Sequence, residues 1–205
     1  MNTHQKPTEI RRPGTTRGAE GFDRHTFSVA DCFRMVEAGV LPADYRFELI
    51  SGEIVPMSPT GISHERAKSE LTVHWARQLP DHASMVTETT LQLGSSDFRE
   101  PDFFFWPRSI DIADKAASDA FLVVEVASTS LAYDLGQKAS AYTAHGVREY
   151  WVIDALKLRI ATMQLSTDGP VGAPRWHERN ERVVPIAIPE LAVCLADFGL
   201  KPDAE

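Results

Sequence analysis

Glu125 stands in the middle of the apolar run Phe121-Leu122-Val123-Val124-Glu125-Val126-Ala127. Read as a strand, the run puts Phe121, Val123 and Ala127 on the face of Glu125, and Val124 and Val126 on the other. A carboxylate in such surroundings is costly unless it is paired, protonated or bound to a metal. Asp102 raises the same question in Pro101-Asp102-Phe103-Phe104-Phe105-Trp106, where its face continues through Phe104 and Trp106. Pro101 also marks the beginning of a strand, where Asp102 could be solvated. Two acids near the ends of adjacent central strands could converge on Mg²⁺ or Mn²⁺ through hard oxygen donors. The competing reading is a pair of structural carboxylates bonded to loop amides.

Lys138 favours the first reading. On a helix beginning near Asp134 it shares a face with Leu135, Ala141 and Tyr142, the face that should dock on the sheet. A lysine turned inward toward two buried carboxylates could orient a metal-bound water and stabilise charge developing on a phosphate. A surface i,i+4 pair with Asp134 is the alternative. Glu48 alternates with apolar neighbours in an early strand and could be an edge residue. His64, near the start of a long helix, could be a surface residue of the capping region.

The elements that must position these groups follow from periodicity and punctuation. Ser28 caps a helix to about Ala38 with Val29, Cys32, Phe33 and Val36 on one face and Gly39 as its stop. Residues 46–50 and 53–55 flank Ser51-Gly52, a two-residue hairpin turn. Ala67, Leu71 and Trp75 recur within a proline- and glycine-free stretch, predicting a helix from Ser63 to Leu79. Met85–Leu93 reads as one strand; Pro101–Trp106 and Phe121–Ala127 read as central strands. A helix from Asp134 to His145 and strands at Val147–Asp154, Leu158–Gln164 and Arg175–Val184 complete the order. Helices mixed with strands without regular alternation predict an α/β fold, a central sheet of mixed strand direction flanked by helices.

The 205 residues favour one domain, here 22–205, after a tail at 1–21 rich in proline and glycine. Hydrophobic residues make up 43% and charged residues 24%, which excludes wholesale disorder and fibrous architectures. Against 21 Lys and Arg stand 29 Asp and Glu, a net charge of -8, whereas a generic nucleic-acid-coating protein is normally basic, so the balance weighs against a nucleic-acid partner. An acidic total is compatible with a local basic groove and with carboxylates spent on cations. Cys32 and Cys194, far apart and beside apolar residues, are expected to be buried free thiols. No apolar run is long enough for a membrane span, and the expectation is a cytoplasmic protein with no membrane partner.

Taken in order, Phe47-Glu48-Leu49-Ile50-Ser51-Gly52-Glu53, Met57-Ser58-Pro59 followed by His64, Pro101-Asp102, Val124-Glu125-Val126-Ala127-Ser128, Asp134 with Lys138, Tyr142, Gly146-Val147 and Glu149-Tyr150-Trp151-Val152-Ile153-Asp154 form a specific series. It resembles the Uma-two family of inferred bacterial endonucleases, within the PD-(D/E)XK or restriction-endonuclease-like superfamily, from about Phe27 to Leu200. The resemblance implies a metal-dependent phosphodiesterase with Mg²⁺ or Mn²⁺ held by Asp102, Glu125 and the main-chain carbonyl of Val126. It adds Glu48 as a further acid, direct or through water, and matches His64 to a recurrent histidine. The superfamily's lysine two residues after the second acid would fall on Ala127; in the family it has moved to the following helix, where Lys138 stands. DNA is the implied substrate, and a homodimer cutting both strands is the implied assembly.

Two other readings compete with the nuclease. A non-catalytic nuclease-fold domain could bind nucleic acid or protein, as the acidic net charge suggests. A carboxylate-pair hydrolase acting on sugars would need two acids but neither metal nor inward lysine.

Overall fold

The computed structural model describes residues 21–202 and the backbone of 15–17. It divides into two compact units, Met1–Pro56 with Gly94–Asp97, and Met57–Leu93 with Phe98–Glu205.

In the first unit, β1 (Thr15–Arg17) pairs antiparallel with β2 (Asp23–His25). The rest of the expected tail lies outside the described residues. Helix α1 (Val29–Glu37) opens on a reciprocal cap: Asp31 N donates to Ser28 Oγ at 3.1 Å and Ser28 N to Asp31 Oδ2 at 2.8 Å. Gly39, at φ +69°, follows its end. Val29 and Cys32 are buried, but Phe33 is 54% exposed, correcting its expected place on the packing face. One residue beyond Cys32 is about 100° around a helix, enough to leave the buried stripe. Strands β3 (Phe47–Ile50) and β4 (Glu53–Pro56) form the expected hairpin, with Ile50 opposite Glu53. Ser51 and Gly52 both have positive φ, 51° and 80°, as a type I′ turn requires.

The second unit begins with α2 (Ile62–Gln78) and continues through β5 (Ala83–Val86), β6 (Leu91–Gly94), β7 (Asp97–Arg99), β8 (Phe103–Pro107) and β9 (Leu122–Ala127), save that Gly94 of β6 and Asp97 of β7 belong to the first unit. Then α3 (Leu131–Tyr133) runs through a π-turn, Asp134–Lys138, into α4 (Ala139–Ala144). Strands β10 (Glu149–Asp154), β11 (Arg159–Ser166), β12 (Gly169–Pro170) and β13 (Arg175–His177) follow. The single strand expected over Met85–Leu93 is two strands, separated where Glu88 takes φ +50°. The strand expected over Arg175–Val184 ends at His177.

The main sheet runs β12-β11-β10-β9-β8-β5, with β13 also on β11. β9 and β10 are parallel and every other neighbouring pair is antiparallel, so the mixed sheet is as expected. The parallel step needs a crossover, which α3 and α4 supply. On one face Ala67, Leu71 and Trp75 of α2 pack against Phe103, Phe105, Val124 and Trp151. On the other, Ala139 and Tyr142 of α4 pack against Phe104, Val123, Tyr150 and Val152. With both faces covered, the central strands read as continuous apolar runs, and polar residues inside them stand out. Cys32 is buried, whereas Cys194 is only half-buried, its thiol 3.5 Å from Arg179 O, which corrects the expectation of two buried thiols.

Candidate active site

Phe103 lies opposite Val124 and Phe104 opposite Val123. One further step in this register sets Asp102 opposite Glu125, on the face of Phe104 and Val123. Asp102 precedes β8 but is not solvated: Val126 N donates to its Oδ2 at 2.8 Å. Exposure across the cluster runs from 2% for Asp134 through 3% for Glu125, 5% for His64 and 7% for Lys138 to 8% for Asp102.

The crossover helix brings the cation. Lys138 Nζ lies 3.1 Å from Glu125 Oε2 and 3.6 Å from Asp134 Oδ1. The i,i+4 pair with Asp134 therefore exists, but it is buried, and the lysine serves both acids. A π-turn over Asp134–Lys138 widens the helix at the point where these side chains leave it, a deviation common at functional sites. One turn on, Tyr142 donates its hydroxyl to Glu125 Oε1 at 2.7 Å. Ser130 Oγ donates to Asp134 Oδ2 at 2.5 Å, and Tyr150 to the Asp134 carbonyl at 3.0 Å.

From α2, His64 Nε2 lies 3.2 Å from Asp102 Oδ1 and Oδ2, and Nδ1 lies 3.2 Å from Glu65 Oε1. Burial disfavours the imidazolium, but the hydrogen bond and charge of Asp102 outweigh it and hold His64 above its ordinary value. One turn further, Lys68 bridges Glu65 at 3.2 Å and Glu88 at 2.9 Å, within the field of Asp102. Lys68 was not singled out from the sequence; its i,i+4 spacing from His64 is the signal that could have found it. Glu48 lies on β3 of the first unit, buried and opposite Val55.

Two buried carboxylates, Glu125 and Asp134, thus flank one buried lysine, and Asp102 stands opposite Glu125 in the strand register. Burial pushes Glu125 up to about 8; the Lys138 charge opposes that rise, while those of Asp102 and Asp134 add to it. Burial thus favours a proton on Glu125, and Asp102 favours one on His64. Among the described residues no three His, Cys, Asp or Glu side chains converge as a set of metal ligands. Asp102, Glu125 and the Val126 carbonyl instead offer two carboxylates and a carbonyl. That donor set suits a hard divalent ion, which takes few protein oxygens and keeps waters or phosphate oxygens.

The comparisons agree with this architecture. A curated relative, "Uncharacterized protein sll1609" from Synechocystis sp., is 30% identical over 149 residues, 65% of this chain and 77% of its own length. The crystal structure of "a putative nuclease belonging to DUF820" from Anabaena variabilis superposes with a TM-score of 0.62 at 17% identity, covering 84% of this chain and 97% of that one. The fold is therefore restriction-endonuclease-like. The family model described as "Uma2: Putative restriction endonuclease" matches residues 30–196, and the chain belongs to that family.

Proposed function

We propose that the protein is a metal-dependent endonuclease hydrolysing phosphodiester bonds in DNA, with Mg²⁺ or Mn²⁺ held by Asp102, Glu125 and the Val126 carbonyl. The observation that carries the reading is the buried Lys138 ammonium 3.1 Å from Glu125, itself opposite Asp102 in the strand register. When bound, such an ion lowers the pKa of a water and polarises the scissile phosphate. Lys138 orients the attacking water or steadies charge developing on the phosphate. Tyr142 fixes the Glu125 carboxyl, and His64 with the Val126 amide fixes that of Asp102. The role of Glu48 as an additional acid rests on its family position alone.

The net charge of -8 motivates a second reading, a non-catalytic binding domain. Both are tested by incubating supercoiled plasmid with the purified protein in Mg²⁺, Mn²⁺ or EDTA, beside D102N and K138A prepared identically. Metal-dependent nicking that vanishes in both variants supports the nuclease. Equal inertness of all three proteins on every DNA form supports the binding domain. A homodimer, read from gel filtration with light scattering, would place two sites for two strands.

A further inference from the structure

A cavity of about 300 Å³ lies beside the first two turns of α2, lined by Ser63, Arg66, Ala155, Leu158, Leu200 and Lys201, together with Gly199. Ala155 N donates to Ala127 O at 2.8 Å, so the cavity opens at the end of β9 that carries Glu125 and Val126. Ser63 immediately precedes His64, which contacts Asp102. In a chain of net charge -8, the two charged residues of this cavity are both cations. Arg66 and Lys201 are exposed, and neither side chain makes a hydrogen bond or ion pair among the described residues.

Three other cations of this unit are each held by an acid: Lys138 by Glu125, Lys68 by Glu88 and Arg159 by Asp154. Two uncommitted cations at the mouth of a pocket with an apolar floor match an anion carrying a flat apolar body. A nucleotide unit of a polynucleotide is such a group: phosphate at the cations, sugar and base over Ala155, Leu158 and Leu200. We infer that this cavity is a subsite for a flanking, non-scissile nucleotide of the DNA strand engaged at Asp102 and Glu125, an inference that rests on the nuclease reading. The floor offers few groups to read base edges, so the contact positions the strand without selecting sequence.

The test is binding of a short fluorescent DNA in EDTA, followed by anisotropy across a salt series, with wild type and R66A/K201A. Both side chains are exposed, so the variant should fold as wild type does. The double variant is expected to raise Kd about tenfold and to flatten the slope of log affinity against log salt by about 1. R66K/K201R is expected to restore most of the affinity. Replacing single phosphates by neutral methylphosphonates should reveal one flanking position that weakens wild type and is silent in R66A/K201A. If the double variant binds with unchanged affinity and slope while wild type cleaves DNA, the subsite is overturned and the nuclease reading stands. If wild type neither binds nor cleaves DNA, both are overturned.

Discussion

Lys138 Nζ lies 3.1 Å from Glu125 Oε2, a contact made between the crossover helix and the central strand it follows. The ammonium is buried with Glu125 and Asp134, so it cannot be exchanged for solvent at low cost. Lys138→Ala is expected to lower plasmid nicking by about 10²-fold or more, as removal of a charge-stabilising group does. Lys138→Met, which keeps the apolar stem, should lose the same activity. It should lower stability by no more than about 3 kcal/mol, because burial already favours the protonated form of Glu125 and no unpaired carboxylate is left behind. Nicking assays and chemical denaturation of both variants check this, and a K138M protein that cuts DNA like wild type would remove Lys138 from the chemistry.

His64 acts through Asp102 instead of on the phosphate, and its variants should separate metal binding from folding. Substitution to Ala leaves Asp102 its hydrogen bond from the Val126 amide and removes an imidazole that the carboxylate holds in place. Outer partners of metal ligands are typically worth about 10–100-fold in metal affinity or activity. H64A is therefore expected to bind Mn²⁺ about tenfold or more weakly, measured by calorimetry, while its thermal unfolding falls by only a few degrees. Unchanged Mn²⁺ affinity would leave His64 a packing residue.

The two acids were legible because each interrupts an apolar run, and a sheet covered on both faces leaves few other places for a charge. Lys138 was legible from helical spacing, but the burial of its neighbour was not. Asp134 reads equally well as a surface partner, and only the π-turn and the Ser130 bond show it inside. The break at Glu88 escaped because no glycine or proline announces it within a stretch of strong β-formers. Lys68 escaped because a lysine on a helix is ordinarily a solvated side chain, and its two acids come from one neighbour in sequence and one distant loop. Phe33 misled because size and apolarity predict burial, whereas its angle on α1 decides otherwise.

Gly52 is a position where backbone and packing agree on one residue. Its φ is +80°, and an added Cβ would stand 2.5 Å from Thr26 Cβ and 3.1 Å from the Phe27 carbonyl. Phe27 N also donates to the Gly52 carbonyl at 2.8 Å, so the segment cannot swing away without losing that bond. Gly52→Ala should therefore destabilise the protein by about 2–4 kcal/mol, from left-handed strain together with overpacking. Gly136, around which a Cβ meets nothing within 4 Å, is the control, and its alanine variant should be neutral or mildly stabilising. Denaturant midpoints of the two variants decide the point.

Glu125 links the site to pH in two measurable ways. Burial holds its folded-state pKa at about 8, above the unfolded value of 4.5. A raised pKa gives stability that is fully present below the unfolded value, because both states are then protonated. As pH rises from about 4.5 the unfolded chain releases the proton while the folded chain keeps it, so stability declines until pH passes about 8. His64, also raised, acts in the same direction. The metal-free protein should thus lose stability between about pH 5 and 8, and Glu125→Gln should flatten much of that loss. A divalent ion at Glu125 must displace the same proton, so its apparent affinity should climb by up to about tenfold per pH unit below 8 and level off above it. Calorimetric titration of Mn²⁺ into wild type in two buffers of different ionisation enthalpy would show proton release near pH 7. Binding without proton release there would mean that Glu125 is already ionised or that the ion sits elsewhere.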